Sequence, residues 1–412
     1  MAMNRRDLLM TGGGMAAALA ASSSGPVLAQ NASPSVTAAA GSGSNDLAVY
    51  AALTNEKKIN VTNLRELEAE AKKILPPYSY AYISGGAGDE WTMRENEAAL
   101  NRWVVAPHYL AGVKTPDISH TVFGAKMALP VFTAPMGGQG IAHAGKEATN
   151  VKGTNEAGTV YVNSSVSNIT MEEIAAAGSG TKWFQIYFPA DRGYARELLQ
   201  RAKASGHTTI TVTVDSTTFS NRERPVRVGV PSPNLGAGNG VKTAGIDART
   251  AAVQKADLNW DDVAFCMKET GLPVIIKGVL TPAFAAEAVK HGVAGVWVSN
   301  HGGRAIDCSS PAIAALPAVV KAVNKKAVVF VDGGFRRGQD IFRALALGAD
   351  AVGLGRPVLY GMALGGAQGI QAVYARLKTE LTMVMQLAGT PNIKSIGPSY
   401  VSSYDPISTY ST

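Results

Sequence analysis

The sequence predicts an α/β fold: a (β/α)8 TIM barrel with an N-terminal helical extension and a lid insertion after the fourth strand. Two patterns predict the barrel. Eight short β-branched runs recur along the chain, and seven of the eight intervals between them show helical spacing. Near-continuous apolar runs that alternate with helices are typical of parallel strands covered on both faces. Glycine, at 44 of 412 residues, exceeds its usual share of about 7%, which indicates many tight turns around the strand ends.

Each of the eight runs ends in glycine or in a polar residue. The clearest helix follows the fifth run, where Thr281 can cap the helix, Pro282 takes its first position and Gly292 closes its end. Helical spacing over residues 62–75 predicts an earlier helix that covers the floor of the barrel. The eight strand runs are 129–136, 159–164, 183–188, 209–215, 273–278, 295–300, 327–333 and 351–355.

The interval between the fourth and fifth runs is roughly twice as long as the others. Its extra segment, residues 224–259, is rich in proline and glycine and contains no tyrosine. Loops that follow barrel strands carry the active-site contacts of this fold. We therefore expect this segment to form a substrate lid.

The chain begins with the features of an export signal. Arg5 and Arg6 form a twin-arginine pair, a weakly apolar stretch follows over residues 8–21, and a small-residue cleavage site ends at Ala29. These features predict a cleaved twin-arginine signal and a periplasmic protein, with an uncleaved anchor as the alternative. The expected division is a signal peptide at 1–29, a flexible linker at 30–46 and the barrel domain at 47–412.

Composition and charge indicate which classes of partner and site the chain has. The net charge is +7, but lysine and arginine are scattered along the chain, which favours a basic enzyme surface over a nucleic-acid partner. Cys266 and Cys308 are too few for a disulfide framework, so we expect free thiols. We expect no metal site. The sequence contains no run of the ~20 apolar residues that span a bilayer.

The active site of a barrel forms where its strands end on the carboxyl side. Glycines and arginines close the seventh and eighth runs, in residues 332–338 and 353–356, and this combination suits a phosphate-bearing ligand, although tight turns alone also use glycine. The sixth run ends in His301, a natural general base, with Arg304 three residues on to hold a carboxylate. Asp215, at the end of the fourth run, can orient the histidine.

Five short motifs occur together in this chain. They are Tyr-Ile-Ser-Gly-Gly-Ala-Gly-Asp-Glu at 82–90, Phe-Gln-Ile-Tyr at 184–187, Thr-Val-Asp at 213–215, Ile-Lys-Gly at 276–278 and Ser-Asn-His-Gly-Gly-Arg at 299–304. In combination they resemble the FMN-dependent α-hydroxy-acid oxidase/dehydrogenase family over about residues 55–395. Residues 82–96 and 355–390 look most like the lactate oxidases of that family. The resemblance implies that the domain at 47–412 is a barrel of this family.

The resemblance also implies a role for each candidate residue. His301 would take a proton from the substrate, Asp215 would stabilise the resulting imidazolium, and Tyr82 and Tyr187 would hydrogen-bond the substrate. Arg222 and Arg304 would bind its carboxylate. Lys277 would lie beside the flavin pyrimidine ring. The implied FMN contacts are Pro135, Met136, Gly137, Ser164, Gln185, Thr213, Lys277, Ser299, Asp332, Gly334, Arg336, Gly355 and Arg356.

The implied activity is FMN-dependent oxidation of an L-2-hydroxy acid to the 2-oxo acid, with O2 as the acceptor and H2O2 as a product. Such a reaction needs a base, an anion clamp and an electron sink, and no side chain can be the sink. The alternative is a periplasmic dehydrogenase that passes electrons to a quinone or a cytochrome. A non-redox FMN barrel or a binding module is the remote alternative. Hydride and carbanion routes are both compatible with the sequence, and the relatives suggest a homotetramer.

Two positions depart from the family pattern. Val166 stands where glycolate oxidases have tryptophan and lactate oxidases have tyrosine, and Gly137 stands where several relatives have alanine. Both residues are small and the lid offers no phenol, so we expect a larger, more apolar pocket around the substrate side chain. The alternative is that the lid segment 225–240 folds inward and fills this space.

Overall fold

Eight parallel strands close into a barrel in the computed structural model, which describes residues 53–229, 238–240 and 254–404. Each barrel strand pairs with the next one along the chain, and the last pairs back onto the first. The predicted (β/α)8 barrel is confirmed. In chain order the described strands are β1 (Trp103–Val105), β2 (His120–Val122), β3 (Ala125–Met127), β4 (Val131–Thr133), β5 (Tyr161–Ser164), β6 (Lys182–Ile186), β7 (Ile210–Thr213), β8 (Val274–Val279), β9 (Gly295–Val298), β10 (Val328–Val331), β11 (Ala351–Leu354) and β12 (Val401–Ser403), of which β4 to β11 form the barrel.

A helix follows every barrel strand. The long last helix contains non-helical backbone at Gly365 and Gly366, so it consists of two helices joined at a kink. In chain order the described α-helices are α1 (Glu66–Ile74), α2 (Pro77–Ser84), α3 (Trp91–Ala98), α4 (Lys146–Glu156), α5 (Met171–Ala177), α6 (Arg192–Ala204), α7 (Glu223–Arg227), α8 (Trp260–Thr270), α9 (Pro282–Lys290), α10 (Ala312–Val323), α11 (Gly338–Ala346) and α12 (Arg356–Ala388).

The predicted strand runs agree with the structure, because each contains most or all of one barrel strand. The caps predicted for α9 are also present. The Thr281 side chain accepts a hydrogen bond from the Phe284 N–H, Pro282 takes the first helical position, and Gly292 has a φ of +76° after the last turn. Side-chain capping and a left-handed glycine satisfy the backbone groups that a helix leaves unpaired at its two ends.

The barrel interior is filled by large aromatic side chains. Phe132, Trp183, Trp297 and Phe330 are fully buried and pack ring against ring, with Phe132 lying 5.0 Å from both Trp297 and Phe330 between ring centroids. Phe123, in the turn between β2 and β3, packs against Trp183 and Phe330. The β2–β3 hairpin therefore closes the end of the barrel that lies opposite the strands' carboxyl ends.

The prediction that the helix in residues 62–75 covers the barrel floor is wrong. The helix exists as α1, but its buried residues Leu67 and Ala71 belong to the outer core and the helix packs against α12. The hairpin that precedes β4 occupies the floor instead. Its strands of three residues each were too short to give a recognisable alternation in the sequence.

Parts of the predicted organisation lie outside the described residues. These are the signal peptide at 1–29, the linker at 30–46 and most of the lid at 224–259, of which residues 224–229, 238–240 and 254–259 are described. Within the described part, no helix has the length and apolar character needed to cross a bilayer. Cys266 is buried and Cys308 is exposed, and both thiols are free, as predicted.

Candidate active site

A cavity of about 560 Å³ opens at the carboxyl ends of the barrel strands. Its size lies in the usual range for a cofactor pocket, roughly 300–1,000 Å³. Most of the residues predicted from the sequence border it. They are Tyr82, Pro135, Met136, Gly137, Tyr187, Arg222, Lys277, His301, Arg304, Asp332, Gly334, Arg336, Gly355 and Arg356.

Five predicted residues do not border the cavity, and three of them form a chain of hydrogen bonds beside it, whereas Asp215 and Ser299 contact residues that do border it. Ser164 donates a hydrogen bond to Gln185 Oε1 at 2.9 Å, and Gln185 Nε2 donates to Thr213 Oγ1 at 3.0 Å. All three are buried at the ends of neighbouring strands. This chain fixes the Gln185 amide, so its orientation is set before any ligand arrives.

His301 is held for proton transfer by partners on both ring nitrogens. Its Nδ1 lies 2.9 Å from Asp215 Oδ1, and its Nε2 lies 3.3 Å from the Tyr187 hydroxyl. A carboxylate at Nδ1 favours the tautomer that has its proton on Nδ1. Nε2 is then left as the basic nitrogen, on a residue that borders the cavity.

Burial is the main reason why the pKa of His301 is lowered, which leaves the imidazole neutral and ready to accept a proton. Burial lowers its pKa, and Lys277 lowers it further, while Asp215 opposes both effects. Burial alone raises the pKa of Asp215, but His301 and Lys277 outweigh it and leave that pKa lowered. Burial raises the pKa of Tyr187, so its phenol stays protonated. At neutral pH the site therefore combines a neutral imidazole with an ionised aspartate.

Backbone geometry brings Asp215 and His301 together. Gly278 has a φ of +114° at a bulge in β8, and a Cβ atom there would lie 2.8 Å from Asp215 Cβ. His301 has a φ of +59°, in the left-handed region that few residues other than glycine adopt. Its N–H donates to Ser299 Oγ at 3.1 Å, which supports this conformation. Such strained backbone is common at functional sites.

Two arginines border the cavity beside His301. Arg304 donates from one terminal nitrogen to the carbonyls of Tyr82 and Gly85, both at 2.7 Å, and its guanidinium lies 5.0 Å from the Tyr82 ring centroid. Arg222 donates from Nε to Ser220 Oγ at 2.9 Å. Burial lowers the pKa of Arg304, and the nearby Arg222 adds to this. A desolvated guanidinium with a second one nearby forms a site that favours an anion.

Lys277, Ser299 and Asp332 form a buried polar group at the ends of three neighbouring strands. Lys277 Nζ donates to Ser299 Oγ at 3.0 Å and lies 3.7 Å from Asp332 Oδ2, while Ser299 donates to Asp332 Oδ1 at 2.7 Å. Burial raises the pKa of Asp332, and Lys277 opposes that rise. The ammonium group is thus fixed at a point where it can stabilise a developing negative charge.

Glycine turns and two further arginines also border the cavity. Gly333 and Gly334 have φ values of +98° and +86°, and Arg336 follows them. The Arg356 side chain donates to the carbonyls of Ile83, Gly302 and Gly85. Arg356 therefore ties α2 to the turn after His301, and its contact with a phosphate stays a prediction.

Sequence reasoning missed two features of the site. Phe219, an aromatic residue in the polar stretch after β7, borders the cavity and is fully exposed at 102%. Gln139 donates to the Met136 carbonyl and to the Tyr161 hydroxyl, both at 2.9 Å, and so fixes the loop that borders the cavity. Phe219 could have been found as a lone aromatic beside the predicted lid. The role of Gln139 follows only from its three-dimensional contacts.

The comparisons with known proteins agree with this geometry. A family model described as FMN-dependent dehydrogenase matches residues 71–403. An L-lactate oxidase of Lentilactobacillus hilgardii is 41% identical over 354 residues, covering 83% of this chain and 94% of that protein. A glycolate oxidase of Spinacia oleracea is 36% identical, covering 83% and 96%. A solved mandelate oxidase superposes with a TM-score of 0.78 at 34% identity, covering 84% of this chain and 99% of that one.

The chain belongs to the FMN-dependent dehydrogenase family. FMN is accordingly its cofactor. The cavity fits FMN by its donor set, because Lys277, which borders the cavity, can meet the polar edge of a flavin. The glycine turn at 333–334 and Arg336, which also border the cavity, suit a phosphate. Within the described residues no cluster of His, Cys, Asp or Glu could hold a metal ion.

For this family member, the expectation that Gly137 enlarges the substrate pocket is wrong. A Cβ atom at Gly137 would lie 2.4 Å from Val166 Cγ2 and 2.8 Å from the Val166 carbonyl oxygen. A γ-methyl group of Val166 therefore fills the space that an alanine would use. The two departures from the family pattern compensate each other at this contact, and any gain in pocket volume comes from the size of Val166 alone.

Proposed function

We propose that the protein oxidises L-2-hydroxy acids to 2-oxo acids with FMN and passes the electrons to O2, forming H2O2. The observation that carries this proposal is the position and hydrogen bonding of His301. Its Nε2 is left basic by the 2.9 Å contact of Nδ1 with Asp215, in the same cavity as Arg222 and Arg304. FMN, when bound, accepts the two electrons that the substrate loses.

Different side chains of the site bind the substrate and transfer its proton. Arg222 and Arg304 bind the substrate carboxylate, since a guanidinium group matches a carboxylate with two hydrogen bonds. His301 Nε2 takes the proton, and Asp215 stabilises the imidazolium that forms. The Tyr187 hydroxyl, 3.3 Å from Nε2, lies where it can hydrogen-bond the substrate oxygen as well. The overall change balances, because a 2-hydroxy acid and O2 give a 2-oxo acid and H2O2.

The acceptor is tested by measuring products in air. Purified holoprotein with L-lactate and no added dye should consume one O2 and form one H2O2 for each pyruvate. Addition of catalase should return half of the oxygen. Reduction of a quinone or of cytochrome c without peroxide formation would contradict the oxidase and support a dehydrogenase.

We propose further that the protein is exported by the twin-arginine route to the periplasm and assembles as a homotetramer. Arg5, Arg6 and the small-residue site ending at Ala29 support export. The tetramer is what the resemblance of the sequence to the family implies. Fractionation of cells that express the double variant Arg5→Lys, Arg6→Lys would test export, because the variant should stay in the cytoplasm while the unchanged chain reaches the periplasm. Sedimentation of the mature protein would test the tetramer.

Substrate choice is expected to depend on Val166. The small side chain leaves room for a longer or aryl substrate group, and each methylene that becomes buried stabilises binding by about 0.8 kcal/mol, nearly fourfold. We therefore expect 2-hydroxybutyrate, 2-hydroxyoctanoate and mandelate to rival lactate and glycolate in kcat/KM. Val166→Tyr should shift the preference toward lactate, whereas Val104→Tyr, on β1, should leave it unchanged. A steep fall in kcat/KM beyond lactate in the unchanged protein would contradict this expectation.

A further inference from the structure

Glu97, in α3, forms an ion pair with Arg336, which borders the main cavity. Arg336 Nη2 lies 2.9 Å from Glu97 Oε1, and the Arg336 side chain is only 11% exposed. The second carboxylate oxygen, Glu97 Oε2, lies 3.4 Å from Arg65 Nε. The carboxylate therefore lies between two guanidinium groups, one buried beside the cavity and one near the surface.

Close backbone packing holds Glu97 in this place. A Cβ atom at Gly334 would lie 2.3 Å from the Asn96 carbonyl oxygen and 2.9 Å from the Glu97 backbone nitrogen. Only glycine permits α3 to approach the turn after β10 this closely. The fold thus brings the backbone of Glu97 close to the turn that carries Arg336.

A second cavity of about 280 Å³ borders the same pair from outside. Asn96 and Glu97 line it together with Gly334, Arg336 and Arg356, and the last three residues also line the main cavity. Arg336 therefore lies at the boundary between the two cavities. Any phosphate group that reaches Arg336 from the main cavity meets the Glu97 carboxylate on the other side.

We propose that Glu97 competes with the FMN phosphate for Arg336 and so lowers the affinity of this chain for FMN. The proposal rests on the proposed function in one respect, namely that the cofactor phosphate binds the turn at 332–336. A phosphate dianion at Arg336 must displace the carboxylate or share the guanidinium with it, and it is repelled by Glu97 in either case. Arg65 gives the displaced carboxylate another partner, so the exchange leaves no unpaired charge.

The test is the FMN affinity of the apoprotein, measured by quenching of flavin fluorescence. Glu97→Gln should lower the Kd for FMN roughly two- to fivefold, the range expected for a partly exposed ion pair. The gain should shrink at high salt, because salt screens the repulsion. The Kd for riboflavin, which has no phosphate, should not change. Glu95→Gln is the matched control, since Glu95 lies on the same helix and pairs with Arg102 at 2.7 Å.

The Arg336→Ala variant distinguishes failure of the competition proposal from failure of the phosphate assignment. This variant should weaken FMN binding and abolish the gain from Glu97→Gln, while normal riboflavin binding shows that it has folded. A gain that persists without Arg336 would contradict competition for that arginine. An FMN affinity lowered by Glu97→Gln would contradict it too, because Glu97 would then support the arginine. If Arg336→Ala leaves FMN affinity unchanged, the phosphate assignment itself is wrong, and oxidation of 2-hydroxy acids is untouched by that result.

Discussion

His301→Gln is expected to retain FMN and to lose flavin reduction by 2-hydroxy acids almost completely. Glutamine keeps a polar side chain near Asp215 but has no nitrogen that can accept the substrate proton. Positioned acid–base catalysis contributes typically ~10²–10⁴-fold, so the rate should fall by at least that much. The measurement is the anaerobic rate of flavin bleaching in a stopped-flow instrument. His291→Gln, at an exposed histidine directly after α9, is the control and should leave the rate unchanged.

The same assignment fixes the pH dependence. Burial lowers the pKa of His301, so the acid limb of kcat/KM should lie below the ordinary histidine value of about 6.5. The base is active when neutral, and activity is therefore lost as the pH falls through this pKa.

A bleaching rate for His301→Gln within tenfold of the unchanged protein would refute the assignment of the base.

Arg304→Lys is expected to raise the KM for 2-hydroxy acids by roughly tenfold or more, equal to about 1.4 kcal/mol, with FMN content unchanged. Lysine retains the charge but cannot form the two parallel hydrogen bonds of a guanidinium group. The guanidinium group that is lost also donates hydrogen bonds to the Tyr82 and Gly85 carbonyls at 2.7 Å. The melting temperature of the variant should therefore be measured together with its kinetics.

Two further variants make the arginine result specific. Arg222→Lys should act in the same direction, whereas Arg196→Lys, whose ion pair with Glu269 lies on the outer helices, should change nothing. Loss of FMN from the Arg304 or Arg222 variant at unchanged KM would move that arginine from the substrate site to the cofactor site.

The barrel and most of the site could be predicted from the sequence for a physical reason. Parallel strands buried on both faces appear in a sequence as apolar runs, and their carboxyl ends all lie at the same end of the barrel. Residues such as His301 and Asp215, 86 positions apart in the chain, could therefore be assigned to one constellation before any distance was known.

Contacts that depend on packing could not be predicted in this way. Val166 and Gly137 each suggested added volume when taken singly, but the Val166 methyl group occupies the space beside Gly137. The α1 helix was predicted from its spacing, yet spacing does not determine which surface a helix covers. The pair of Glu97 with Arg336 depends on the close approach of α3 to Gly334, which no local pattern encodes.

The central claim, that this cavity oxidises 2-hydroxy acids with FMN, is tested most directly by an anaerobic titration of the purified holoprotein. One equivalent of L-lactate per flavin should bleach the oxidised flavin absorbance and release one equivalent of pyruvate, while D-lactate should do neither. If the flavin absorbance stays fully oxidised with L-lactate, glycolate, 2-hydroxybutyrate, 2-hydroxyoctanoate and L-mandelate alike, the account is contradicted.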